Sequence, residues 1–127
     1  YWKQSDSTDL REHAAMRGGD GSIVRRSFFR EQSQLAVRFD VWELAPGMSE
    51  GSHTHGGPRA SDDDERPLEE IYYFLQGSGA MWINGEDVPV RAGDTVMAPP
   101  GVDHGFRNTG PEPLRLVLLW GPPHAAG

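Results

Sequence analysis

Apolar and polar residues alternate along much of this chain with a period of two, the pattern of strands that bury one face. In residues 35–44, Leu35, Val37, Phe39 and Val41 share one face, and Arg38, Asp40 and Trp42 share the other. This pattern predicts that the apolar face packs in the core and that the charged face meets solvent or a second subunit. Further strands are predicted over 22–29, 70–75, 80–84, 87–91, 95–98, 104–108 and 114–120. Turn residues punctuate them: Ala45-Pro46-Gly47, Gly77-Ser78-Gly79, Asn84-Gly85 and Ala92-Gly93-Asp94, with Pro111 and Pro113 before the last strand. Asn84-Gly85 between two such runs is a strong hairpin signal. The first 22 residues are polar, and Ser7 followed by Glu12 suits a short capped helical turn. Strands recurring every eight to twelve residues, roughly, predict an all-β fold, an antiparallel β-barrel or double-sheet jelly roll. We expect one domain over 1–127, with its barrel core at about 23–121, an N-terminal arm over 1–22 and a short C-terminal tail.

Composition narrows the function classes. The formal net charge is −7, and Lys3 is the single lysine beside eleven arginines. With no basic stripe to neutralise phosphates, a nucleic-acid partner is disfavoured. No apolar run approaches a membrane-spanning length, and Tyr1-Trp2-Lys3-Gln4 does not read as the start of a signal peptide. A soluble, cytoplasmic protein without membrane attachment is expected. The chain has no cysteine, which excludes disulfides, zinc ribbons and iron–sulfur clusters.

The candidate chemistry gathers in residues 47–77 and 93–108. His53 and His55, two positions apart on an extended segment, point to the same side and can converge on one ion. Glu70 opens the next strand, and His104 follows the turn Pro99-Pro100-Gly101. Three imidazoles and a carboxylate suit a first-row transition metal better than calcium. His13 and His124 read as surface residues.

Two motifs are written in these segments. The first is G-x5-H-x-H … E-x6-G, through Gly47, His53, His55, Glu70 and Gly77. The second is G-x5-P-x-G-x2-H-x3-N, through Gly93, Pro99, Gly101, His104 and Asn108. Together they resemble the two signature motifs of the cupin superfamily, over about half of the chain. The resemblance implies a small β-barrel and, residue by residue, a metal site of His53, His55, Glu70 and His104. It also implies one divalent ion, whether iron, manganese, nickel, copper or zinc. One departure stands out. Cupins usually place three or four residues between the second histidine and the glutamate, and this chain places fourteen there. The inserted polar segment, 56–67, reads as a solvated loop, as a lid over the site or as a dimer contact.

Strand parity from Glu70 puts Tyr72 and Phe74 on the metal side, and parity from His104 adds Phe106. These three are the expected pocket residues, with the Tyr72 hydroxyl as the candidate catalytic group facing a small-molecule substrate. Cupins with this ligand set include dioxygenases, oxalate-handling enzymes and sugar-phosphate isomerases, and small single-domain cupins also act in polyketide cyclisation. The resemblance therefore implies a metal-dependent enzyme on a small aromatic or carbonyl-bearing molecule, with a dioxygenase or other oxidoreductase leading. A non-redox cyclase, isomerase or lyase is the first alternative, and a cupin that binds metal and ligand without turnover is the second. Trp42, Trp82 and Trp120 are more indole than one small barrel buries easily, which predicts a homodimer.

Overall fold

The computed structural model describes residues 1–8, 10–55 and 67–123. Among them ten strands form two antiparallel sheets. In chain order they are β1 (Leu10–Ala14), β2 (Ser22–Phe28), β3 (Arg38–Leu44), β4 (Ser49–His53), β5 (Glu69–Gln76), β6 (Ser78–Ile83), β7 (Glu86–Arg91), β8 (Thr95–Ala98), β9 (His104–Asn108) and β10 (Leu114–Gly121). One sheet has six strands in the order β1-β2-β3-β10-β5-β8, and the other has four, β4-β9-β6-β7. This is the expected all-β jelly roll. His124 and nearly all of the 56–67 insertion lie outside the described residues.

The core lies between the inner faces of the two sheets. Leu44 from β3, Tyr72 and Phe74 from β5, Met81 from β6, Phe106 from β9 and Leu116 from β10 are all fully buried there. On β5 the alternation runs as its pattern predicts. Glu70, Tyr72 and Phe74 point inward, while Ile71, Tyr73 and Leu75 face out. Asn108, the last residue of the second motif, locks one end of the core. Its amide donates to the carbonyls of Leu44 at 2.9 Å and Glu112 at 2.8 Å and accepts from Gly110 N–H at 2.9 Å.

Two expectations are corrected. The faces around β3 are exchanged except at Val41, which is buried at 6% exposure as expected. Asp40 and Trp42 are buried, at 0% and 3% exposure, whereas Leu35, Val37 and Phe39 are exposed. The charge is tolerated inside because it is paired. Asp40 Oδ2 accepts from Trp42 Nε1 at 3.2 Å, Trp120 Nε1 at 3.1 Å and Arg25 Nη2 at 3.3 Å. Alternation distinguishes the two faces, but charge is a poor guide to which one is inner when the partners come from other strands. Trp42 therefore belongs to the core, and Trp120 packs against it.

The second correction concerns the N-terminal segment. Residues 10–14 form no helical turn. They pair with β2 as an added edge strand, with Leu10 opposite Arg26 and Ala14 opposite Ser22. The chain then makes a short 3-10 turn over Met16–Gly18 that packs tightly on β4. A Cβ at Gly51 would collide with the Arg17 carbonyl oxygen, and one at Gly19 with that of Ser49. Only glycine allows the two backbones to approach so closely.

Candidate metal centre

The two sheets contribute jointly to one cluster. His53 ends β4 and stands directly opposite His104 at the start of β9, both in the four-stranded sheet. His55 follows two residues after β4 ends. Its carbonyl accepts from Gly101 N–H at 3.2 Å, which ties it to the turn that leads into His104. Gly101 sits at φ +82, a conformation that glycine adopts without strain, so its place in the motif has a backbone cause. Glu70 enters from the six-stranded sheet on β5.

All four residues are buried, and one donor atom from each lies within 4.8 Å of the others. His53 Nε2 is 3.1 Å from His55 Nε2. Glu70 Oε1 is 2.5 Å from His55 Nε2 and 3.2 Å from His104 Nε2. The outer ring nitrogens are tethered: His53 Nδ1 donates to the Gly51 carbonyl and His104 Nδ1 to that of Val102, each at 2.9 Å. A backbone bond at Nδ1 turns Nε2 towards the centre and sets the tautomer a metal ligand needs.

Burial shifts the ionisations. It pulls the His53 imidazole down to about 4, so the ring is neutral near pH 7 and its Nε2 presents a lone pair. Burial pushes Glu70 up, but hydrogen bonds from His104 and His55 outweigh it and hold this carboxyl well below the usual carboxylate range. For His104 burial acts downward, and the Glu70 hydrogen bond and charge reverse the net direction to upward. Three imidazole nitrogens and a carboxylate oxygen converging in a buried space fit one divalent first-row transition ion. The cluster could hold such an ion.

Tyr72, Phe74 and Phe106 are all fully buried and pack on one another, with Tyr72 next to the cluster. Tyr72 packs edge-on to His104 at 6.1 Å and to Phe106 at 5.7 Å between ring centroids. Its hydroxyl donates to Glu70 Oε2 at 3.1 Å. A cleft of about 110 Å³ opens on the cluster, and a different set of side chains lines it. His55 and Glu70 form its metal side; Arg17, Arg25, Trp42, Glu50, Leu118 and Trp120 are among the others.

Glu50 and Arg25 escape the sequence reading. Glu50 lies three positions before His53, so strict parity would put it on the opposite face. The register shifts between them: Glu50 pairs with Phe106 and His53 with His104, so three steps along β4 match two along β9. This irregularity turns Glu50 inward, to 2% exposure. Burial, with Glu70's charge adding to it, pushes its carboxyl up to about 8. Arg25 shows no motif at all, and only the pairing of β2 with β3 brings it to the cleft.

A model of the cupin domain matches residues 40–120, and the chain belongs to the cupin family. It is 35% identical over 106 residues to an oxalate-binding protein of Thermotoga maritima, covering 82% of this chain and 79% of that protein. A solved Thermotoga maritima structure, described as a predicted oxalate decarboxylase, superposes with a TM-score of 0.80 at 30% identity, over 94% of this chain and 97% of that one. A 3-hydroxyanthranilate 3,4-dioxygenase of Ruegeria pomeroyi is 35% identical over 83 residues, which is 61% of this chain and 44% of the enzyme. Among the described residues, no helix is long and apolar enough to cross a membrane.

Proposed function

We propose that this cupin is a mononuclear transition-metal enzyme acting on a small carbonyl-bearing or aromatic molecule, with an oxidoreductase of the dioxygenase kind as the leading reaction. The observation that carries the reading is the junction of an open cleft with the buried cluster of three histidines and one glutamate. Four protein ligands leave room at such an ion for one or two further oxygen donors. A bound ion would polarise a coordinated oxygen and, if redox-active, open dioxygen chemistry.

The chain's own residues define the surroundings. His53, His55, His104 and Glu70 Oε1 would hold the ion. Tyr72 fixes the carboxylate by engaging Glu70 Oε2, so that Oε1 stays turned towards the imidazoles. Trp42, Leu68, Leu118 and Trp120 give the cleft apolar walls that limit water. Glu50, buried in the same cleft, is a carboxyl within reach of whatever occupies it. The relationship to the Ruegeria pomeroyi dioxygenase supports the redox version, although the chain spans less than half of that enzyme.

The test is turnover of small keto acids and aromatic acids by metal-loaded protein, in air and under argon. Turnover that needs air supports the oxygenase. Equal turnover under argon removes it in favour of a non-redox cyclase, isomerase or lyase. A second reading, ligand capture without chemistry, has its own support in the oxalate-binding relative. It predicts calorimetric binding of a small acid that is recovered unchanged.

A further inference from the structure

We propose that Arg25 forms a carboxylate-recognition subsite in the metal cleft, with Arg17 on the same wall, so that the small molecule taken by this protein is an organic acid anion. The proposal rests on the enzyme reading above for the role of the cleft, but its geometry is independent of any metal. Both arginines precede residue 40, where the cupin match begins. The subsite therefore belongs to the N-terminal part of the chain and not to the shared motifs.

Arg25 is held as few surface arginines are. It sits on β2 opposite Trp42 of β3, and its guanidinium carbon lies 4.6 Å from the centre of that indole. Its Nη2 donates to Asp40 Oδ2 at 3.3 Å, and the same oxygen is fixed by the indole N–H groups of Trp42 and Trp120. Stacking and pairing remove most of the rotamer freedom that a long cation would otherwise lose on binding. Asp40 and the two indoles thus act as positioning residues for the fork.

The fork is not saturated. Arg25 Nε is buried with no hydrogen-bond acceptor, and on the same cleft wall Glu50 Oε1 is buried without a hydrogen bond, 3.9 Å from His53 Nε2. Met16, Leu68 and Leu118 of the wall offer Arg25 Nε no oxygen acceptor, and the wall's two carboxylates, Glu50 and Glu70, are not hydrogen-bonded to it. A carboxylate entering the cleft would give Arg25 the acceptor it lacks, in a charge-assisted bond that an amide or alcohol makes less strongly. A cationic molecule would meet two arginines. Arg17 is brought to this wall by the 3-10 turn that the Gly19 and Gly51 contacts press against β4.

Malonate, with malonamide as its neutral counterpart, provides the test. Calorimetric titration of chelator-treated protein keeps metal coordination out of the readout. Wild type is expected to bind malonate at least about tenfold more tightly than malonamide. Arg25→Gln should lose that preference while keeping its metal content, and Arg25→Lys, with the charge but not the fork, should fall between. Equal affinity for malonate and malonamide in wild type would overturn the proposal, as would undiminished malonate binding by folded Arg25→Gln. If Arg25→Gln does not fold, the wild-type comparison decides alone. A protein that prefers malonate but takes up no metal would keep the subsite and refute the metal reading. One that takes up metal without the preference would do the reverse.

Discussion

The Tyr72 hydroxyl donates to Glu70 Oε2 at 3.1 Å, while Glu70 Oε1 faces the imidazoles of His55 and His104. One carboxylate is thereby shared between a fully buried phenol and the metal cluster. Burial and the Glu70 charge both push the phenol well above its ordinary value, so it remains a hydrogen-bond donor. Tyr72→Phe keeps the ring and its packing but frees Oε2. We expect it to fold normally and to bind metal about 10–100-fold more weakly, the usual cost of losing a hydrogen bond to a metal ligand. Competition with a metallochromic chelator measures this. An unchanged affinity would mean that packing alone orients Glu70.

Asn108 should matter for stability and not for the metal. Its side chain makes three hydrogen bonds to backbone groups, to Leu44, Glu112 and Gly110, from a 1% exposed position. Asn108→Ala leaves those groups without their partner, and a loss of about 2–4 kcal/mol is expected in urea unfolding. Metal content per folded chain should be unchanged. A loss below about 0.5 kcal/mol would show that water replaces the amide.

The outer face of the six-stranded sheet is the expected contact of a homodimer. Met97, Ile71, Leu119 and Phe39 stand on adjoining strands in one rung, across β8, β5, β10 and β3, and all are exposed. Tyr73 and Leu75 extend the patch along β5. This face takes over from the tryptophans as the basis for pairing, since Trp42 is inside the barrel. Light scattering should give twice the chain mass of 14.0 kDa for wild type and the single mass for Leu119→Arg. A monomeric wild type at micromolar concentration would count against the dimer.

Legibility in the sequence differs residue by residue. Glu70, Tyr72 and Phe74 follow directly from alternation on β5, because that strand is regular over its whole inward face. The four-residue cluster follows from the two motifs, whose turns at Gly47 and Gly101 need glycine backbones at positive φ. Asp40 is misplaced by alternation because a buried carboxylate depends on Trp120, eighty positions away, which no local pattern encodes. Glu50 is hidden because a register shift reverses parity between it and His53. Arg25 is hidden because only strand pairing carries it to the cleft. The ligands are readable from local spacing; the cleft wall needs the tertiary pairing.

The central claim is that His53, His55, Glu70 and His104 bind one transition-metal ion. Elemental analysis of protein purified without added metal tests it most directly, comparing wild type, Glu70→Gln and the double variant His53→Ala/His55→Ala. We predict close to one transition-metal ion per wild-type chain. Occupancy should fall in Glu70→Gln, where an amide oxygen remains but its charge is gone, and metal should be nearly absent from the double variant, which loses two direct bonds. Full occupancy in the folded double variant would contradict the claim.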